Sequence, residues 1–232
     1  MNLPLLISVP HAGIWVPPEV EDRCRLSDVE LAADGDEQAA ELYSCQAHVA
    51  RWISTPVARA IVDLNREISD RRSDGVVKTH TCWNVPVYDR PLDEELIDRL
   101  LEKYYHPYHR QLSAAAGEVR LGIDCHTMAE HGPPVGPDPG QLRPAICLGD
   151  VQGTSLPGEW LRALQAALGR EFEFPVTINQ PFSGGYITRC HAAEMPWVQI
   201  EFSRGAWLPL YEKRGRLMTA LCRFCRELWP DG

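Results

Sequence analysis

Leu121-Gly122-Ile123-Asp124-Cys125-His126-Thr127 is the stretch on which the reading of this chain turns. Val119, Leu121 and Ile123 lead in with Gly122 between them, which predicts a short buried strand that ends at Ile123. An acid, a small residue, a histidine and a hydroxyl then follow at once. Ligands in open α/β sheets gather just beyond the carboxyl ends of the strands. A histidine placed there, with Asp124 two residues earlier to fix its ring, suits a metal ligand and its outer partner. The alternative is a packing histidine near a helix cap.

Working outward, other apolar runs end in the same way. Leu5-Leu6-Ile7-Ser8-Val9 stops at Pro10-His11-Ala12-Gly13, so His11 also sits just past a strand. Ala58–Asp63 reads as a second strand, followed by Leu64-Asn65-Arg66. An Asn-Arg pair at a strand end suits a carboxylate clamp, because the guanidinium fork matches a carboxylate; a surface salt bridge is the other explanation. Ala145–Asp150, Val176–Asn179 and Trp197–Phe202 complete the strands, with Glu201 near the last end among apolar neighbours. A carboxylate so placed needs a partner or a raised pKa.

Helical spacing covers Ser27–Arg51 with a break near Gly35, Pro91 to about Glu118, Pro157–Arg170 and Leu208–Leu228. Ser27 and Glu30 form a capping-box pair, and Pro107 is expected to kink or split its helix. Asp34, Asp36 and Glu37 cluster at the Gly35 break. The helix dipole explains acids there, and so does a His/His/carboxylate metal site. His106 and His109, three apart, are read as solvated or hydrogen-bonded rather than as a metal pair. Residues 67–90 are expected to be a mobile or substrate-covering loop, and residues 129–144 a loop forming a wall beside His126. Strands alternating with helices predict one α/β domain over residues 1–232.

Composition narrows the function. The 232 residues carry a net charge of −9, which argues against a nucleic-acid binder. No apolar run reaches the roughly 18 residues of a membrane span, and the N-terminal run lacks the features of a signal peptide. Eight cysteines without a regular framework read as reduced thiols of a cytoplasmic protein. Cys222-x-x-Cys225 has no second pair and lies in a helical pattern. No G-x-G-x-x-G and no P-loop occurs, although Gly184-Gly185 would let backbone approach a ligand closely.

Collected together, strand ends carry His11, Asn65-Arg66, Asp124-x-His126 and Glu201. Two histidines and a carboxylate with an open position describe a catalytic zinc site. A further glutamate takes the proton of an attacking water, and an arginine holds a substrate carboxylate. That set suits hydrolysis of an amide in a small anionic molecule.

The sequence resembles the N-formylglutamate amidohydrolases. The likeness rests on Ser8-Val9-Pro10-His11-Ala12-Gly13, Val62-Asp63-Leu64-Asn65-Arg66, Tyr105-His106-Pro107-Tyr108-His109, Asp124-Cys125-His126-Thr127, Phe182-Ser183-Gly184-Gly185-Tyr186 with Arg189, and Gln199-Ile200-Glu201, in the family's order. It implies a three-layer α/β fold, a mixed and mostly parallel sheet flanked by helices, of the zinc-peptidase-like phosphorylase/hydrolase type. It also implies hydrolysis of N-formyl-L-glutamate to formate and L-glutamate in histidine breakdown. Asp-Leu-Asn-Arg and Asp-x-His-Thr are similar, too, to motifs of the aspartoacylase and succinylglutamate desuccinylase deacylases.

By this likeness His11 and His126 become ligands of one zinc ion. Asn65 and Arg66 become the carboxylate clamp, Glu201 the base, and Asp124 the residue that orients His126. Gly184, Gly185, Tyr186 and Arg189 would contact substrate, with Arg66 and Arg189 holding its two carboxylates. Those deacylases place the acid ligand three residues after the first His, where this chain has Ile14. Glu41-Leu42-Tyr43 matches a family run that points instead to Asp36, with Asp34 and Glu37 as alternatives. After Arg189, Cys190-His191-Ala192-Ala193-Glu194 departs from the family's usual run. Another N-acyl amino acid as substrate, or a silent metabolite-binding protein, are the rival readings. A monomer or small homo-oligomer is expected.

Overall fold

The computed structural model describes residues 2–230. β1 (Leu3–Val9), β2 (Val49–Ser54), β3 (Leu121–Met128), β4 (Ile146–Gly149), β5 (Val176–Ile178) and β6 (Trp197–Ser203) form one sheet in the order β2-β1-β3-β6-β4-β5. The first four in that order run parallel, β4 runs antiparallel to β6, and β5 is parallel to β4. β3 and β6 are central and buried along their whole length, as strands covered on both faces must be.

Alternation along the strands sorts the faces. Leu5, Ile7, Val9, Ile123, Cys125, Val198, Ile200 and Phe202 enter one core with α2 (Ala39–Leu42), α5 (Gly158–Phe172) and α7 (Leu210–Leu228). Leu6 and Trp197 enter the other, under α1 (Asp28–Asp34), α3 (Glu94–Leu100), α4 (His106–Ala115) and α6 (Tyr186–His191). The result is a helix–sheet–helix sandwich. Residues 124 and 126 of β3, and 199 and 201 of β6, share the second face. The parallel register sets Asp124 beside Gln199 and His126 beside Glu201. A polar square therefore interrupts that face near the carboxyl ends of the central strands.

Several expectations need correction. β3 does not end at Ile123 but runs to Met128, because β6 continues to pair with it up to Met128↔Ser203. Asp124 and His126 are thus strand residues. Val49–Arg51, read as the end of a helix, instead open the parallel edge strand Val49–Ser54, on which only Val49 and Ile53 are buried. Burial four residues apart mimics helical spacing. Ala58–Asp63 is a set of turns, closed by the amides of Ile61 and Val62 bonding to Ala58 carbonyl oxygen, although its side chains are as buried as a central strand's.

The third helix begins at Glu94 and ends at Ala115, and it is split: Leu101–Tyr105 is one widened π turn just ahead of Pro107. A proline ring clashes with the carbonyl four residues back and donates no bond, and the wider turn accommodates both deficits. Ser27 caps α1 through the capping box with Glu30. The eight cysteines are free. Among the described residues no helix is long and apolar enough to cross a membrane.

Candidate metal centre and active-site cavity

A cavity of about 620 Å³ opens over the polar square. His11, Asp36, His126, Glu201, Asn65, Arg66, Gly184, Gly185, Tyr186 and Arg189 all line it. The Pro-rich segment 129–144 contributes a wall, as expected of it.

Three different elements deliver the central trio. His11 follows β1, and its carbonyl accepts the Asp36 amide at 3.0 Å. The approach is tight at Gly35, where a Cβ would stand 3.0 Å from the His11 oxygen. Asp36 Oδ2 is 2.8 Å from His126 Nδ1 and 3.7 Å from His11 Nδ1. The three ligand atoms lie within 4.8 Å of one another. Donors held tetrahedrally at zinc distances sit roughly 3.3 Å apart, so the observed spacing brackets what one ion requires. His11 Nδ1 is buried and has no hydrogen-bond partner, an orphan that an ion between the three would satisfy. Of the other acids at the break, Asp34 pairs with the buried Lys78 at 2.9 Å, and Glu37 is exposed.

The far nitrogens of both rings meet carboxylates. His11 Nε2 hydrogen-bonds to Asp63 Oδ1 at 2.8 Å. His126 Nε2 lies 2.9 Å from Asp124 Oδ1 as a charge pair without hydrogen-bond geometry, and its hydrogen-bond contact is Asn65 Nδ2 at 3.0 Å. An imidazole that binds metal through one nitrogen is usually fixed through the other in this way. Burial opposes the charge on Asp36, yet His11 and His126 hold its carboxyl well below the usual range. Burial likewise opposes charge on His126, but Asp124 and Asp36 hold its pKa well above the usual value. Such a concentration of negative charge favours a cation in the centre. Burial pushes the Glu201 carboxyl up to about 7, against the pull of His126. Gln199 Nε2 donates to Glu201 Oε1 at 2.8 Å and fixes its direction.

The Asn65-Arg66 segment is held from behind. Tyr105 Oη donates to the Arg66 carbonyl at 2.8 Å and His109 Nε2 donates to the Leu64 carbonyl at 3.0 Å. Burial and the neighbouring His191 lower the His109 pKa to about 4, so the ring is neutral. Its Nδ1 accordingly accepts from His191 Nε2 at 2.9 Å. His106 lies at the surface side, 3.5 Å from Glu102, and the two histidines form no metal pair. The Asn65 amide nitrogen donates to Asp124 Oδ2 at 2.9 Å, and its oxygen accepts the Ile187 amide at 2.7 Å. Gly185 is what admits that side chain: a Cβ there would fall 2.2 Å from Asn65 Nδ2. Arg66 is partly exposed and leans on Asp74 at 3.2 Å, while Arg189 is exposed on α6.

The N-formylglutamate amidohydrolase family model matches residues 3–208. The chain belongs to that family. An N-formylglutamate deformylase of Pseudomonas putida is 27% identical over 225 residues, covering 89% of this chain and 82% of that protein. The solved N-formylglutamate amidohydrolase of Ralstonia eutropha JMP134 superposes with a TM-score of 0.83 at 20% identity, covering 100% of this chain and 96% of its own. A gene product of Agrobacterium tumefaciens gives 0.75 at 18% identity, covering 97% and 90%. For this amidohydrolase-family chain, the two structures establish the same fold.

Three features of the site escaped the sequence. Asp63 was visible only as part of a family-like run, although an acid two residues before a functional side chain is the pattern that singled out Asp124. Lys78 sits in the 67–90 segment, which is no loose loop: its own backbone bonds, such as Asp63 amide to Val76 carbonyl and Val76 amide to Asp70 carbonyl, fold it against the site. Arg59 is part of the same buried network, donating to Asp63 Oδ2 at 3.0 Å and to the Asp34 carbonyl at 3.1 Å. Nothing local in the sequence marks Lys78 or Arg59.

Proposed function

We propose that residues 1–232 act as one catalytic unit that hydrolyses the formamide bond of N-formyl-L-glutamate, giving formate and L-glutamate, with one zinc ion held by His11 Nδ1, Asp36 Oδ2 and His126 Nδ1. The observation that carries the reading is the convergence of these three atoms within 4.8 Å, one of them orphaned, beside a glutamate whose pKa is lifted to about 7. The curated relatives' activity supports the choice of substrate. When bound, zinc supplies Lewis acidity, polarising a carbonyl and lowering the pKa of a water toward 7.

The chain's own groups do the rest. Glu201 takes a proton from the attacking water and delivers it to the amide nitrogen as the C–N bond breaks. Its raised pKa matches both tasks near neutrality. Asp63 and Asp124 hold the two imidazoles in the tautomer that leaves Nδ1 free to bind. Arg66 and Arg189 supply cationic charge for carboxylate binding at the cavity, which orients the substrate's formyl group over Glu201. Gly184, Gly185 and Tyr186 line the approach, and Asn65 acts through Asp124 and His126. The eight free cysteines support a cytoplasmic, reducing setting for this reading.

Glu201→Gln is expected to keep its zinc and lose turnover by about 10²- to 10⁴-fold. Formate release and metal content measured on the same sample check this. Near-normal turnover removes Glu201 as the base, and zinc-free active enzyme removes the metal from the proposal.

A further inference from the structure

Arg143 closes the 129–144 segment and is 8% exposed. It forks onto Asp138, with Nε donating to Oδ2 at 2.8 Å and Nη2 to Oδ1 at 2.7 Å. Its guanidinium carbon lies 4.8 Å from the Phe182 ring centroid. Asp138 and the ring together fix both the direction and the plane of the group. Asp138 lies outside the cavity lining, whereas Arg143 and Phe182 are part of it.

A guanidinium has five N–H donors, and Asp138 takes two. Nη1 bonds to no protein group among the described residues. It is also absent from the buried polar atoms that lack a partner, which are His11 Nδ1, Tyr88 Oη, Asp124 Oδ1 and Trp197 Nε1. Nη1 is thus both uncommitted and accessible, and Arg143 is part of the cavity lining.

The other cations there are differently committed. Arg59 is spent on Asp63 and the Asp34 carbonyl, Lys78 on Asp34, Arg66 on Asp74 and Arg72 on Asp70, while Arg204 Nη1 donates to the Gly35 carbonyl at 3.0 Å. Arg189 is exposed and tethered only to the Gly184 carbonyl at 3.4 Å. Arg143 lines the same cavity as His126 and Glu201, which puts it within the space a substrate would fill. In an N-formyl amino acid the α-carboxylate is one carbon from the scissile nitrogen, and a side-chain carboxylate is farther off.

We propose that the free edge of Arg143, held rigid by Asp138 and Phe182, receives the α-carboxylate of the substrate and so selects N-acyl α-amino acids. This rests on the deformylase reading above. Arg66 and Arg189 are then left to the side-chain carboxylate, and the 129–144 segment becomes a specificity element.

The test uses the full-length zinc-loaded protein and three compounds: N-formyl-L-glutamate, N-formyl-L-glutamine and 4-formamidobutanoate, which lacks the α-carboxylate. Arg143→Gln is expected to lower kcat/KM about 30-fold or more for the first two, in line with loss of a hydrogen bond to a charged group. The third should change less than about 3-fold on the same grounds. Asp138→Asn, which keeps the cation but loosens it, should show the same pattern more weakly, and it serves if Arg143→Gln fails to fold. Equal losses on all three compounds make Arg143 a structural staple and overturn the proposal. So does no loss at all, or a loss confined to compounds with the distal carboxylate.

Calorimetric titration of the same compounds into Glu201→Gln and Glu201→Gln/Arg143→Gln separates the two readings. Wild-type protein that releases no formate sinks the deformylase assignment, while the titrations still decide Arg143. Binding that is insensitive to Arg143→Gln, or no binding of any compound, sinks Arg143.

Discussion

His11 and His126 each turn one ring nitrogen toward Asp36 and the other toward a buried carboxylate: Asp63 hydrogen-bonds to His11, and Asp124 lies beside His126. Removing an outer carboxylate leaves the ligand in place but weakens its basicity and its aim. Asp63→Asn is therefore expected to reduce zinc affinity about 10- to 100-fold, read by competition with a chromogenic chelator. Unchanged affinity would show that Asp63 serves only Arg59 and Lys78. At this scale the sequence disclosed the residues that protrude into the cavity, because they sit at or near strand ends. It hid Asp63, Lys78 and Arg59, whose importance lies in pairing across a fold. The 44-residue separation between Lys78 and Asp34 leaves no local trace. The choice of Asp36 among three neighbouring acids also waits on the backbone, since Gly35 and the His11 carbonyl aim the chain there.

β3 and β6 carry the site as a pair of parallel strands in fixed register. Gly122 lies opposite Trp197 at the start of that pairing, and a Cβ on it would stand 2.4 Å from the indole. Trp197 is fully buried and has no room to retreat. Gly122→Ala should cost about 1–3 kcal/mol of stability, measured as a shift of the denaturant midpoint; no shift would mean the indole repacks freely. Element types were legible where a run was long and strongly patterned, as in β1, β3, β6, α5 and α7. They were misread at Val49–Arg51 and Ala58–Asp63, where burial follows tertiary position rather than local period. The edge strand shows core residues four apart, and the turn segment is apolar throughout.

For the molecule as a whole, the buried acid at Glu201 leaves a signature in stability. Its pKa rises from 4.5 unfolded to about 7 folded. The folded state then holds a proton that the unfolded chain has released. Stability from this group is intact below about pH 4.5 and is lost as pH rises through about 7, by about 3 kcal/mol. Glu201→Gln lacks the effect. In metal-free protein the melting temperature of the variant, relative to wild type, should climb between those two pH values, and a flat difference would show that Glu201 ionises without penalty. Asp36 and Asp63, held low, act in the opposite sense in both proteins. The buried Lys78–Asp34 pair has a consequence of a different kind. It rivets the 67–90 segment to the end of α1, two positions from Asp36. Whatever pulls on that outer segment, be it a bulky ligand or an engineered insertion, also tugs the backbone that carries Asp36, so the rim of the cavity and the candidate metal centre are mechanically joined.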